Sequence, residues 1–359
     1  MKKILALSPA DYGDVRIVKI MSYLNAKGFE IELVGWQRTE KEIKSSPLFD
    51  KIHTILKGGG YQTKWTPVFY VIYIVKLFFY LLFKRNLQTY IPYAINFETA
   101  CSIWMVSKFR KVKYVYDIFD ECAISHNFSP RMMKFIRNVD SKIRKGAAFY
   151  IHVDENRVSD IDSENYVVIY NSPVDVKKSN ETPEFDNKFA VTGWLNKTRG
   201  LQSIYEFAKA NPQITFIVAG EFNQKEYEEK FLSLQNVDYH HFMPQADLFK
   251  LIGNCRGIFS LYDSSIPINR LAASNKLYDA MMLSIPVIVN KDLVAADFVR
   301  DNKTGYVVDY DYNASWGELA MFDKEVANTL GANGRKIYVD RYEFNTMLDN
   351  ILLPRLNEL

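Results

Sequence analysis

Cysteine is scarce in this sequence. Cys101, Cys122 and Cys255 are the only three in 359 residues, and no two of them form a CxxC pair. An odd count without paired spacing argues against a disulfide framework and for a reducing compartment. Histidine is sparse too. His53, His126, His152, His240 and His241 show no HExxH or other ligand spacing, so neither a metal nor another cofactor is expected. Charge of one sign is not in excess: 45 basic residues against 42 acidic ones leave a formal +3, too balanced for a nucleic-acid partner. The first glycine turn holds Gly13 without GxGxxG, which weakens a dinucleotide-dependent dehydrogenase. The opening MKKILALSP lacks the long apolar stretch of a secretory signal. It reads as a first buried strand of a cytoplasmic protein.

The sequence does contain a full globular core. Apolar residues make up 48% and charged residues 24%, and this length suits two domains. Strand and helix patterns alternate from the start: a strand at 3–8, a helix at about 15–27 ending before Gly28, and a strand at 29–36. That order opens a parallel α/β sheet. A polar stretch, VKKSNETPEFDN at 176–187, places a boundary near 172–188. A second alternation begins at Phe189, without an internal sequence repeat. The divisions expected are 1–172, 173–345 and a final helix over 346–359.

The stretch SNKLYDAMMLSIPVIVN, 274–290, concentrates the chemistry. Ser274 suits a helix cap, and Lys276 and Asp279 lie three apart on one helical face. Pro286 halts the helix before the buried strand VIV. A helix start with a cation and free N–H groups at Ser274 and Asn275 favours an anion. An acid one turn further in suits the hydroxyls of an adjoining sugar. Diphosphate plus ribose, a nucleotide, follows. Lys276 as a solvated helix residue, and Asp279 as its surface partner, are the plainer alternatives.

The most ambiguous segment is WTPVFYVIYIVKLFFYLLF, 65–83. Its length permits a membrane span, but the sheet pattern resumes beyond it. A buried helix explains the apolarity. An interfacial helix also explains the many aromatics and the flanking Lys64, Lys84 and Arg85, and this last reading is slightly preferred. The basic stretch 131–145, with six cations and one acid, fits a solvated face or the same membrane surface.

In order and spacing, TGWLNKTRGLQSI, ITFIVAG, SNKLYDAMMLSIPVIV and NKTGYVVDYD resemble GT-B glycosyltransferases, most closely family 4 of the nucleotide-sugar-dependent bacterial enzymes. The first half is similar mainly in layout. The resemblance implies two facing Rossmann-like domains, with acceptor on the first, donor on the second, and a final helix returning to the first. It implies that Arg199 contacts the diphosphate in place of the lysine of the KG motif, with Lys276 on the diphosphate and Asp279 on ribose. Three departures stand out: Leu271 replaces the first acid of E-x7-E, Trp194 replaces a basic residue, and Ser284 replaces a helix-ending glycine.

An acceptor hydroxyl needs a base or an orienting carboxylate. YDIFDE ends a buried strand, where functional residues gather. Asp120, which with Phe119 corresponds to the family's histidine–acid pair, is the first choice and Asp117 the second, although either can simply cap a turn. In the first loop Gly13, Asp14 and Arg16 are acceptor-side candidates; a plain turn and a helix-start ion pair are the alternatives. The expected activity is transfer of a sugar from a UDP- or GDP-linked donor to a lipid-linked saccharide at the inner face of the cytoplasmic membrane, with capsule, exopolysaccharide or lipopolysaccharide as product. A GT-B sugar-nucleotide epimerase and a degenerate nucleotide-sugar-binding scaffold are the alternatives.

Overall fold

A computed structural model describes residues 2–10, 14–38, 47–59, 65–125, 128–158, 165–177, 183–271 and 274–359. The chain forms two units, residues 1–170 with 345–359, and residues 171–344.

In the first unit the chain runs β1 (Lys3–Ser8), α1 (Val15–Ala26), β2 (Glu30–Gln37), β3 (Lys51–Lys57), α2 (Thr66–Phe83), β4 (Tyr90–Ile95) and α3 (Asn96–Ser107). Then come β5 (Val115–Ile118), α4 (Cys122–Ser125), α5 (Pro130–Gly146), β6 (Phe149–His152) and β7 (Tyr166–Val168). The seven strands pair in the order β3-β2-β1-β4-β5-β6-β7, all parallel. From β1 the chain steps outward to β2 and β3, then returns past β1 to β4. Right-handed crossovers therefore put α1 on one face of the sheet, and α2, α3 and α5 on the other. The packing agrees: α2 lies against α3, and α3 against α5.

The apolar 65–83 segment is one of these crossover helices. It joins two strands of a single sheet, which rules out a membrane span. Pro67 suits its first turn, and Tyr73, Leu77 and Leu81 are fully buried along one stripe. Trp36 packs on Tyr73 with ring centres 5.5 Å apart, and the Tyr73 hydroxyl donates to Ser8 O at 2.7 Å. The helix end is held by Arg110, whose Nη1 donates to the carbonyls of Leu81, Leu82 and Lys84, a cation at the negative end of the dipole. The other side is not covered. Trp65, Val68, Val71, Ile72, Val75, Phe79 and Phe83 are exposed, Val71 by 61%. The segment is thus a core helix on one face only.

The last residues complete this unit. α14 (Phe344–Met347) and α15 (Leu353–Asn357) flank a widened π turn, Leu348–Leu352. Leu348, Leu352 and Leu356 are fully buried. Asp349 accepts from the Tyr23 hydroxyl at 2.6 Å and pairs with Lys27, both in the α1 region, and Lys2 Nζ donates to Leu356 O.

The second unit runs β8 (Asp186–Leu195), α6 (Leu201–Ala210), β9 (Thr215–Phe222), α7 (Lys225–Leu232), β10 (Val237–His240) and α8 (Gln245–Ile252). It continues with β11 (Cys255–Ser260), α9 (Pro267–Arg270), α10 (Asn275–Leu283), β12 (Val287–Asn290), α11 (Val294–Asp301), β13 (Gly305–Val308), α12 (Gly317–Ala320) and α13 (Lys324–Ile337). The parallel order is β10-β9-β8-β11-β12-β13. Its core is an aromatic stack in which Phe207, Phe259 and Trp316 meet with ring centres 5.4 to 6.4 Å apart. Each such ring contributes roughly 1.5–3 kcal/mol on burial.

The units divide at 170/171, beside the 172/173 read from the sequence, and Asp175 is gripped by both Arg335 Nη atoms at 2.9 and 2.7 Å. In the second unit α13 is α-helical only to Ile337, and a widened turn, Tyr338–Tyr342, follows.

Candidate functional site

In an open parallel sheet, ligands bind beyond the carboxyl ends of the strands, where the strand order reverses. In the second unit that crevice lies between β8 and β11. Near the end of β8, Gly193 sits at φ +91°, a conformation suited to glycine. A side chain on neighbouring Gly220 would put its Cβ 1.9 Å from Gly193 O, so the two strand ends can approach only as glycines. Beyond them, the Asn196 side chain accepts from Thr198 N at 2.7 Å and turns the chain toward Arg199.

Arg199 and Lys276 converge on this crevice. Both line an open pocket of about 290 Å³, with Thr192, Trp194, Ser260 and Tyr262 among the other walls. The Arg199 guanidinium stacks on Tyr262, 3.8 Å from the ring centre. Its Nη1 is buried without a hydrogen-bond partner among the described residues. Lys276 reaches back over the glycine turn, so that a Cβ on Gly193 would stand 3.2 Å from its Nζ. A buried cationic N–H lacking an acceptor is costly unless a ligand supplies one. The arrangement has the chemistry that suits an anion.

The α10 start has the geometry its sequence suggests. Ser274 Oγ accepts from Lys276 N at 3.2 Å, and Asn275 Oδ1 accepts from Asn171 Nδ2 at 3.2 Å. Asp279 lies half-buried one turn further in. Leu271 is 38% exposed where an acid would stand in E-x7-E. Ser284 ends the helix at φ +60°, and its fully buried Oγ accepts from Lys177 Nζ at 2.8 Å. That contact accounts for a serine in a position that favours glycine.

In the first unit the candidates separate. Gly13 lies outside the described residues. Asp14 caps α1, its Oδ1 accepting from Arg16 N at 3.0 Å and Ile17 N at 3.2 Å. Arg16 makes no ion pair with it among the described residues and turns inward instead. There its Nη2 stands 3.2 Å from Asp117 Oδ1, and its Nη1 donates to Ile169 O at 3.0 Å. The Tyr93 hydroxyl takes the other Asp117 oxygen at 2.6 Å. Asp117 is fully buried. Burial pushes its carboxyl above the usual range, opposed by Arg16 and the Tyr93 hydrogen bond, and burial likewise pushes the Tyr93 hydroxyl well up. Arg16 and Asp117 therefore form an interior anchor, and neither presents an atom to an acceptor.

Asp120, three residues on, is its opposite. Its side chain is 61% exposed and faces Arg157 Nη1 at 3.4 Å. Sequence reasoning missed Arg157, and also Asn96, whose Oδ1 accepts from Phe119 N at 3.0 Å and Asp120 N at 3.3 Å. An asparagine between a strand and a helix was the available signal.

Comparison with known proteins agrees with this layout. Residues 175–335 match the family model of glycosyl transferases group 1. No curated protein matches in sequence. Among solved structures, HepE of Anabaena in complex with UDP superposes with a TM-score of 0.73 at 16% identity, covering 100% of both chains. A sucrose-phosphate synthase from Thermosynechococcus elongatus gives 0.71 at 14% identity, again over 100% of both. WaaG, a glycosyltransferase of lipopolysaccharide biosynthesis, gives 0.64 at 15% identity over 98% of this chain and 100% of its own.

Proposed function

We propose that this chain, whose fold is that of GT-B enzymes and whose residues 175–335 match the group 1 glycosyl transferases, moves a sugar from a UDP-linked donor to a lipid-linked saccharide. The single observation that carries the donor half is the buried, acceptor-less Nη1 of Arg199 in one pocket with Lys276. In the reaction the bond between the anomeric carbon and the phosphate oxygen breaks, and UDP leaves with the electron pair. Arg199, Lys276 and the N–H groups at the start of α10 offset the charge that grows on the diphosphate, without a resident metal. Asp279 accepts from the ribose hydroxyls. The acceptor oxygen bonds to the anomeric carbon and gives its proton to Asp120. That HepE has been crystallised with UDP and with UDP-glucose supports uridine over guanosine.

The lipid-linked acceptor is supported by the outer side of α2. Its exposed apolar stripe and Phe109 at the end of α3 lie on the same sheet face as α5. α5 exposes Arg131, Lys134, Arg137, Lys142 and Lys145 together with Met132 and Phe135. Apolar and cationic side chains sharing one face suit the anionic inner leaflet of a cytoplasmic membrane, where capsule or lipopolysaccharide precursors would be extended. Incubation with UDP-sugars and membrane lipid extract tests this. UDP released only when lipid is present is the expected result. Donor conversion without lipid would instead indicate an epimerase, and binding without turnover a scaffold; either would overturn the proposal.

A further inference from the structure

The first unit has its own reversal of strand order, between β1 and β4, and Asn96 is the residue that follows β4 there. Its backbone is left-handed, φ +60°, although it is not a glycine. Such a conformation costs a non-glycine residue about 1 kcal/mol or more, and asparagine tolerates it best. A glycine would adopt it freely but would carry no carboxamide. The carboxamide here crosses to the next strand end, where its single oxygen accepts the N–H groups of Phe119 and Asp120. On the other side of the same turn, Arg157 Nη1 donates to Phe119 O at 3.3 Å and faces the Asp120 carboxylate at 3.4 Å. The Phe119 ring is held beneath the buried Arg16 guanidinium, 5.1 Å from its centre. The turn is thus gripped through both N–H groups, one carbonyl and one ring, and Asp120 is the group it leaves pointing outward.

We propose that Asn96 is a positioning residue: its left-handed backbone and carboxamide set the direction of the Asp120 carboxylate toward the acceptor hydroxyl. This rests on Asp120 as the base. It adds that the base is aimed from the end of the neighbouring strand, β4, which also borders the β1–β4 reversal. A carboxylate released from this clasp samples several directions, and proton transfer falters once a base swings out of hydrogen-bond reach.

Three variants test it, with UDP release from UDP-glucose in the presence of membrane lipid extract, and UDP as the binding probe. Asn96→Gly keeps the backbone conformation and loses the clasp. The expected result is a fall in kcat of about 10- to 100-fold, with donor KM and UDP affinity unchanged. Asn96→Asp keeps an oxygen in place and tolerates the same backbone, so it restores most of kcat. It also sets a second negative charge beside Asp120, which disfavours the ionised form and moves the acid limb of the rate profile to higher pH. The limb moves only if the titrating base stands beside residue 96, and the kcat loss of Asn96→Gly at unchanged UDP affinity separates positioning from a purely structural role. Wild-type kcat in Asn96→Gly overturns the inference, as does an Asn96→Asp variant with no rescue and no shifted limb. Asp120→Asn separates the two levels. If it is inactive while Asn96→Gly is fully active, only the positioning role falls; if it is fully active, the base assignment falls as well.

Discussion

Arg16 Nη2 and Asp117 Oδ1 stand 3.2 Å apart with both side chains almost wholly inside the first unit, 3% and 0% exposed. The two residues are far apart in sequence, and their pairing ties α1 to the end of β5. Removing one partner strands a buried charge, which costs about 3–5 kcal/mol. Arg16→Ala is expected to lower the urea midpoint accordingly and to leave the affinity of the folded protein for UDP unaltered. Unchanged stability would show that the pair is not the anchor described.

The donor crevice gives the opposite pattern. Arg199→Ala and Lys276→Ala each remove a charged hydrogen-bond donor from an anion, about 1.5–3 kcal/mol. UDP affinity measured by calorimetry should fall about 10- to 100-fold in each, with little change in melting temperature. Gly193→Ala acts through geometry. At φ +91° the added Cβ is strained and meets Lys276 Nζ, so it should weaken UDP binding without touching either cation.

The outer side of α2 can be altered without disturbing its buried stripe. Val71→Asp and Phe79→Glu place acids on the exposed stripe, away from Tyr73, Leu77 and Leu81. Cosedimentation with phosphatidylserine vesicles at low salt should be lost, and the melting temperature kept. Reversing Arg137 and Lys142 to Glu should weaken the same binding by about 1 kcal/mol per cation. Full vesicle binding by all these variants would sink the membrane proposal.

Acid should loosen the C-terminal segment first. Lys27, and after it Tyr23, hold the Asp349 carboxyl below the usual 3.8 of an aspartate. A depressed folded value means the contribution is fully present above the usual, unfolded value and is lost as pH falls from there through the lower, folded one. Asp349 is largely exposed, so the effect is local rather than global. Exchange-protected amides of residues 348–357 should open selectively as pH falls below about 4, and Asp349→Asn should remove that pH dependence.

Much of the fold was legible because the central parallel strands are buried on both faces and read as apolar runs. Ile4 to Leu7 and Val287 to Val289 are examples, and both runs are essentially inaccessible to solvent. The Ser274, Lys276 and Arg199 cluster was legible as well, since helix caps and cations carry local signals. Asp120 was ranked ahead of Asp117, but the burial that separates them was not legible, as both stand in one motif at the end of β5. What divides them is a partner in another helix: Arg16 claims Asp117 and leaves Asp120 outside. The one-sided burial of α2 was equally hidden, because Trp, Tyr and Phe occupy both its covered and its open face. Asn96 was overlooked because its one signal, an asparagine between a strand and a helix, belongs to a residue type that is common in turns.

The last fifteen residues, 345–359, belong to the first unit although the whole second unit precedes them. On a ribosome, the first unit therefore waits unfinished while the second is made. During that interval Tyr23 and Lys27 lack Asp349, and the surface later covered by Leu348, Leu352 and Leu356 stays open. A nascent chain in that state is a ready client for a holdase chaperone until Leu348, Leu352 and Leu356 dock.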